Sequence, residues 1–253
     1  MADDDAPPPV RIQLHGRFAL AVGGRTVEHL LPGRRARLLV AVLALSPRSP
    51  VDRATLIDVL WCPARPAGGA ASTFSALLSK VRTVIDPAGI AGRRSLQLVL
   101  PPGSIVDAVV ARAALHAAES AAARQDWHRA WTEALSALFV TQRGFLSDFD
   151  DPWSDDRRGE AVHQHRRVLA CYGEACLHLG PGELAGAERS ARALIALDPV
   201  AETGYRLLVR AHVAQGDRGA ALAVYEQMRH ALREHLGTDP SPVTCALHAE
   251  LLG

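Results

Sequence analysis

Apolar and polar positions alternate near the N-terminus with a period of two. The alternation covers residues 10–14 and 18–22, and a third short apolar segment, residues 26–30, follows Gly23 and Gly24. Strict alternation between glycine turns is typical of strands that bury one face. The pattern therefore predicts a small antiparallel sheet at the start of the chain.

Three helices are predicted next, because apolar residues now recur every three or four positions. The first covers residues 34–45, and the second covers residues 53–61 with Asp52 as its N-cap. A linker rich in proline, glycine and alanine, residues 63–71, leads to the third helix, residues 72–85. The pattern thus changes from a sheet to a group of amphipathic helices.

Two apolar segments follow the third helix, residues 96–100 and 105–106. They flank the sequence Pro-Pro-Gly-Ser, for which a hairpin is predicted. The order of sheet, three helices and hairpin indicates a first domain over residues 10–102. Residues 1–9 are acidic and proline-rich and lack the apolar stretch of a signal peptide, so a short disordered tail is expected.

Residues 103–253 are helical almost throughout by the same criterion. A shift of the chain by 34 residues aligns residues 187–194 with residues 221–228, and a degenerate third unit begins at residues 125–130. A helical repeat of about 34 residues is the tetratricopeptide period, and such repeats bury their apolar faces by stacking on their neighbours. An all-α, tetratricopeptide-like second domain is predicted.

Charge divides the chain in the same way. Residues 10–100 contain 13 basic and 4 acidic residues, whereas residues 101–253 contain 15 basic and 20 acidic residues. A basic block joined to an acidic block favours a polyanion-binding domain followed by a protein-contact domain. No apolar run reaches the roughly 18 residues that cross a bilayer, so no membrane association is expected and a cytoplasmic location is predicted.

Several segments resemble a known family. They are GDRGAALAVY (216–225), LREHLGTDPSP (232–242), FLSDFDDPW (145–153), LIDVLW (56–61) and SKVR (79–82). Together they resemble the Streptomyces antibiotic regulatory protein (SARP) type of transcriptional regulator. The resemblance covers nearly the whole chain from Val10.

The resemblance implies a mostly α protein. An N-terminal winged helix-turn-helix of the response-regulator output-domain type (α+β) is followed by a bacterial transcriptional activator domain built on tetratricopeptide-like helices. It implies a sequence-specific DNA-binding regulator, an activator of a biosynthetic gene cluster that contacts double-stranded DNA and RNA polymerase. The resemblance leaves open whether the protein forms a homodimer. The alternative is a protein-interaction scaffold whose winged domain has lost specific DNA binding.

The third helix is the candidate recognition helix. Its apolar stripe consists of Phe74, Leu77, Leu78, Val81 and Ile85, and the opposite arc carries the candidate DNA-binding residues Ser72, Ser75, Ser79, Lys80, Arg82 and Thr83. Small side chains and hydroxyls on that arc suit close approach to a major groove, and Arg82 is long enough for a bidentate contact to guanine. Loss of Arg82 is therefore expected to change stability by no more than about 0.5 kcal/mol. An ordinary solvated helix face is the alternative.

Further arginines are candidates for phosphate or minor-groove contact. They are Arg34, Arg35 and Arg37 at the start of the first helix, and Arg93 and Arg94 in the expected wing. Any of them could equally be a free surface side chain.

Catalytic and metal sites are not expected. The chain has no glycine-rich phosphate loop, no G-x-S-x-G motif and no H-E-x-x-H motif, so neither an enzyme nor a cofactor is predicted. One group of potential zinc ligands lacks the close cysteine pairs of zinc sites, and buried thiols are expected instead. Its members are His163, His165, Cys171, Cys176 and His178.

Overall fold

The computed structural model describes residues 7–47, 49–62 and 69–253. The chain forms two compact units. One comprises Met1–Val110 and Val140–Ala161, and the other comprises Ala111–Phe139 and Val162–Gly253. Residues 1–6 of the predicted tail and residues 63–68 of the predicted linker lie outside the described residues. The predicted fold class, a small α+β region followed by helices, is confirmed.

A four-stranded sheet begins the first unit. Its strands are β1 (Val10–Gln13), β2 (Ala19–Val22), β3 (Arg25–Thr26) and β7 (Ile105–Val106), in the order β3-β2-β1-β7. β1, β2 and β3 are antiparallel neighbours, as the alternation predicted, and β7 runs parallel to β1. The third predicted strand is shorter than expected because Glu28–Leu30 forms a turn of 3₁₀ helix.

The hairpin predicted from residues 96–100 and 105–106 is wrong. β6 (Ser95–Val99) pairs instead with β5 (Gly89–Ala91) and with β4 (Val51–Asp52) in a second sheet, of order β4-β6-β5. Apolar segments that are adjacent in sequence need not pair, because burial against other strands decides the partner: Val106 pairs with Ile12 of β1, and Leu96 pairs with Val51 of β4. The sequence Pro-Pro-Gly-Ser carries the chain from one sheet to the other.

Three helices pack on one another, and the first of them also packs on β6. They are α1 (Gly33–Leu45), α2 (Arg53–Leu60) and α3 (Ala70–Val84), close to the predicted bounds. Asp52 precedes α2, but its carboxylate accepts a hydrogen bond from Ser95 Oγ (2.8 Å) and makes no capping bond. The core of this unit contains the fully buried side chains of Leu39, Leu43 and Phe74.

A later segment of the chain, Val140–Ala161, also belongs to the first unit. The Asp107 carboxylate accepts hydrogen bonds from the backbone N–H groups of Leu14 (2.7 Å) and His15 (3.0 Å), and Arg143 Nη2 lies 3.3 Å from it. Asp148 Oδ1 accepts a hydrogen bond from the Phe18 N–H (2.9 Å). The bonds of Arg143 and Asp148 attach residues 140–161 to the first unit. The predicted boundary at residue 102 between the two domains stays a prediction.

The second unit is helical. Its helices, some of which begin or end in the first unit, are α4 (Asp107–Ala123), α5 (Trp127–Thr141), α6 (Pro152–Leu179), α7 (Leu184–Leu197), α8 (Glu202–Ala214), α9 (Arg218–Leu236) and α10 (Pro242–Leu252). α9 begins 34 residues after α7, in agreement with the repeat. α7 packs on α8, α8 on α9 and α9 on α10, so each helix buries its apolar face against the next.

Local signals explain where these helices approach and begin. A Cβ on Gly204 would lie 2.9 Å from the Leu194 Cβ and 3.0 Å from the Ala191 carbonyl oxygen, so the glycine permits α8 to approach α7. Asp217 caps α9 by accepting a hydrogen bond from the Ala220 N–H (2.9 Å). In the part of the chain that the structure describes, no helix has the length and apolar character needed to span a bilayer.

Candidate nucleic-acid interface

Helix α3 places its two faces as the helical wheel predicts. Phe74, Leu78 and Val81 are buried, and Ile85 directly after the helix is buried as well. The opposite arc is exposed along its whole length; it carries Ser72, Ser75, Ser79, Lys80, Arg82 and Thr83. The six candidate residues on this helix therefore share one open surface.

The hydroxyl groups on this arc are engaged with their own helix. Ser75 Oγ donates to the Ala71 carbonyl (2.8 Å), Ser72 Oγ donates to the Gly69 carbonyl (2.9 Å) and Thr83 Oγ1 donates to the Ser79 carbonyl (3.3 Å). Each oxygen keeps lone pairs that can accept a hydrogen bond. These hydroxyls suit close packing against a nucleic-acid backbone better than they suit donation to a base edge.

Arg53, which the sequence did not single out, ties α2 to α3. Its Nη2 donates to Ser75 Oγ (2.6 Å) and to the Ala71 carbonyl (3.3 Å), and its guanidinium lies over the Phe74 ring, 4.7 Å from the centroid. Ser75 is therefore held by the fold. No local pattern could have identified Arg53, because its partners lie 18 and 22 residues away on another helix.

Arg82 is exposed but is not free, contrary to the expectation for a dedicated base-contacting side chain. Its Nε and Nη2 both donate to the Ile90 carbonyl oxygen, at 3.0 and 2.7 Å, and Nη2 also lies 3.4 Å from the Gly92 carbonyl oxygen. The hairpin of β5 and β6 presents these carbonyls beside the C-terminal half of α3. Removal of Arg82 would leave them without this donor, so we now expect a larger stability loss than the sequence indicated.

The hairpin of β5 and β6 forms the wing, and its turn carries two cations that have no partner among the described residues. Gly92 adopts φ +93°, and a Cβ there would lie 2.0 Å from the Ser95 carbonyl oxygen, so only glycine fits. Arg93 and Arg94 follow it and are exposed, and neither guanidinium makes a hydrogen bond or ion pair with another described residue. Lys80 on α3 is equally without a partner among them.

Two of the three arginines at the start of α1 make bonds to other residues. Arg34 Nη2 lies 3.5 Å from Asp151 Oδ2, and Arg35 Nε donates to the Leu60 carbonyl (3.1 Å). Arg37 is half-buried, and its Nε has no hydrogen-bond partner in the described chain. Of the five candidate phosphate or wing residues, Arg93 and Arg94 are thus the two most available to a ligand.

The helical unit contains a groove of about 500 Å³, lined by residues of α4, α6 and α8 and by the Trp127 side chain. Two ion pairs border it: Arg210 Nη1 lies 2.8 and 2.7 Å from the two carboxylate oxygens of Glu174, and Arg167 donates to Glu119 at 2.9 and 2.6 Å. The apolar side of the groove includes Leu207. A mixed groove of this kind suits a polypeptide segment that carries both apolar and charged side chains.

Three of the residues considered as metal ligands, Cys171, Cys176 and His178, have other environments. Burial raises the pKa of the Cys171 thiol to about 11, with Glu119 and Glu174 acting in the same direction. Burial likewise raises the pKa of the buried Cys176 to about 11. His178 stacks on Trp127 with 3.8 Å between ring centroids. Among the described residues no three His, Cys, Asp or Glu side chains are grouped for a metal ion.

Comparison with known proteins gives a family match over the second half of the chain and relatives that match most of its length. Residues 106–252 match the family described as bacterial transcriptional activator domain. The regulatory protein AfsR of Streptomyces griseus is 28% identical over 221 residues, which cover 87% of this chain and 22% of AfsR. The transcriptional regulatory protein EmbR of Mycobacterium tuberculosis is 28% identical over 251 residues, which cover 94% of this chain and 62% of EmbR.

A solved structure shows the same fold. The structure of Mycobacterium tuberculosis EmbR in complex with a low affinity phosphopeptide matches with a TM-score of 0.85 and 23% sequence identity, covering 97% of this chain and 65% of that one. The chain therefore spans less than two thirds of the length of each of these relatives.

Proposed function

Because the chain belongs to the SARP-type transcriptional regulators, which carry the bacterial transcriptional activator domain, we propose that it binds double-stranded DNA sequence-specifically and activates a biosynthetic gene cluster. The observation that carries the proposal is the exposed arc of α3 next to a wing whose two arginines have no partner in the described chain. A recognition helix with an adjacent cationic hairpin is the arrangement by which winged helices bind a duplex. We propose no catalytic chemistry and no cofactor.

The candidate residues would have two different roles in binding. Ser72, Ser75 and Ser79 are small enough to let α3 enter the major groove, where Lys80 extends towards base edges or phosphates. Arg93 and Arg94 would bind phosphates or the minor groove. These two arginines supply attraction to any duplex, whereas the arc of α3 supplies the preference for an operator.

The helical unit would contact RNA polymerase, and its groove is the surface that we propose for this contact. Arg210 pairs with Glu174 through Nη1 alone, so its Nε–H and Nη2–H groups make no hydrogen bond to the described chain. Those donors suit a carboxylate on a partner protein. The same groove supports the second candidate function, a protein-interaction scaffold whose winged region lacks a preferred DNA sequence.

Duplex affinity measured against salt concentration tests DNA binding. A footprinting experiment on the DNA that flanks the gene would first identify the operator sequence. The combined change Arg93→Ala and Arg94→Ala should weaken binding to all duplexes and flatten the slope of log K against log salt by about 0.9 per phosphate contact, or roughly two units. Lys80→Ala should cost about 1–3 kcal/mol on the operator if the ammonium contacts a base.

The control variant is Arg229→Ala, which removes a cation of the helical unit that pairs with Glu226. It should leave both the slope and the affinity unchanged. Equal affinity for operator and unrelated duplexes would contradict sequence-specific binding and favour the scaffold. A transcription assay on the same operator then tests the groove, because Arg210→Ala should reduce activation without reducing DNA affinity.

A further inference from the structure

We propose that Arg82 is a positioning residue, which fixes the wing against the recognition helix, and that it does not itself contact a base. The inference rests on the proposed DNA-binding function. The observation behind it is that the Arg82 guanidinium on α3 donates hydrogen bonds to two main-chain carbonyls of the wing.

The wing is attached to the rest of the unit along one side. β6 pairs with β4, the Arg53 N–H donates to the Arg94 carbonyl (2.9 Å), and Ser95 Oγ donates to Asp52 (2.8 Å). All of these bonds reach β6 or the end of the turn next to it. This side of the wing is therefore held by α2 and β4.

The other side of the wing is an edge. β5 is the outer strand of the sheet order β4-β6-β5, so in the described part of the chain its one strand neighbour is β6. The Ile90 carbonyl on β5 accepts two hydrogen bonds from Arg82, and the Gly92 carbonyl at the start of the turn lies 3.4 Å from Arg82 Nη2. The Ile90 side chain is buried in the core, and Arg82 supplies the hydrogen bonds to the β5 main chain and the start of the turn that α2 and β4 do not reach.

The geometry of a guanidinium explains why arginine stands here. Two N–H groups of one planar fork converge on a single carbonyl oxygen, and this fixes direction as well as distance. Because Arg93 and Arg94 directly follow Gly92, the same bonds hold their backbone relative to α3. A wing positioned in advance loses less conformational freedom on binding, so its arginines bind a duplex more tightly.

Amide hydrogen exchange of the free protein tests the positioning role without any DNA. In Arg82→Met, the amides of residues 90–94 should exchange about tenfold faster or more, because the wing opens locally once its second attachment is lost. In Arg82→Lys, which keeps the charge and one donor group, the increase should be smaller. The matched control Lys80→Met changes the other exposed cation of α3, which has no partner in the described chain, and should leave exchange of the wing unchanged.

A double-mutant cycle on the operator separates positioning from base contact. Arg82→Met alone should weaken binding about tenfold. It should have little effect when Arg93→Ala and Arg94→Ala are also present, because Arg82 then has no wing arginines to position. If Arg82 contacts a base, its effect persists in the absence of the wing arginines and the preference changes at one base pair. That result would overturn the proposal.

The two measurements distinguish failure of the positioning role from failure of the proposed DNA-binding function. If wing exchange rises but no variant binds any duplex, the positioning role stands and the proposed function is wrong. If the protein binds its operator but wing exchange is the same in Arg82→Met and the unchanged chain, the positioning role is wrong. Should Arg82→Met unfold the whole first unit, the Arg82→Lys variant decides by the same two criteria.

Discussion

Arginines find different partners in the two units of this chain. In the helical unit they pair with carboxylates of the same or a neighbouring helix, as in Arg192 with Glu188 and Arg210 with Glu174. In residues 10–100 of the first unit, Arg53 and Arg82 donate to main-chain carbonyls and Arg93 and Arg94 have no described partner, whereas Arg34 pairs with a carboxylate, that of Asp151. Arginine thus forms ion pairs within and between helices in one unit and, at Arg53 and Arg82, hydrogen bonds to the main chain in the other.

The cause of this difference is the local supply of carboxylates. Residues 10–100 contain 13 basic and only 4 acidic residues, so most guanidinium groups there cannot find a carboxylate. A hydrogen bond to a carbonyl satisfies the N–H donors but leaves the positive charge uncompensated. Arginines that support the fold of the first unit therefore still contribute to its attraction for a polyanion.

The largest effect is expected for the carboxylate that ties the first unit together. Asp107→Ala should lower the free energy of unfolding of this unit by about 3 kcal/mol, because the N–H groups of Leu14 and His15 lose their acceptor in a largely buried position. Urea denaturation followed by a probe in the first unit measures the change. Glu119→Ala, which breaks the exposed pair with Arg167, is the control and should cost less than about 1 kcal/mol. Equal losses of unfolding free energy in the two variants would contradict the larger structural role given to Asp107.

A smaller effect is expected from pH. His15 is 1% exposed and its Nδ1 has no hydrogen-bond partner in the described chain. Burial lowers its pKa, against the opposing charge of Asp107 and with a further lowering by Arg143. The unfolded chain, with a histidine pKa of about 6.5, then binds more protons than the folded one in mild acid.

The His15 contribution is therefore fully present above about pH 6.5 and is lost as the pH falls below that value. Urea denaturation at pH 7.5 and pH 5.5 measures it, and His15→Gln should reduce the difference between the two conditions. If the variant and the unchanged chain lose the same stability between these pH values, this buried histidine makes no such contribution.

The smallest effect is expected in the helical unit. Arg192→Ala removes an exposed guanidinium that pairs with Glu188 four residues earlier on the same helix. The free energy of unfolding should change by no more than about 0.5 kcal/mol, as is usual for exposed pairs on one helix. A loss comparable to that of Asp107→Ala would contradict the contrast between the two units.

Much of the architecture followed from the sequence because it depends on local periodicity. The buried stripe of Phe74, Leu78 and Val81, the exposed arc with Ser79 and Lys80, and the 34-residue offset between α7 and α9 were predictable from the spacing of apolar residues alone. The division into a basic and an acidic region needed only a count of charges.

Tertiary structure decided which groups meet. The pairing of β6 with β4 and β5, the attachment of β7 to β1, and the bonds of Arg53 and Arg82 all join residues that no local pattern connects. Helical periodicity shows which way a side chain points but not which carbonyl or carboxylate a neighbouring element presents to it. Arg82 therefore faces outward as its position on the helix requires, yet its hydrogen bonds are determined by where the wing lies.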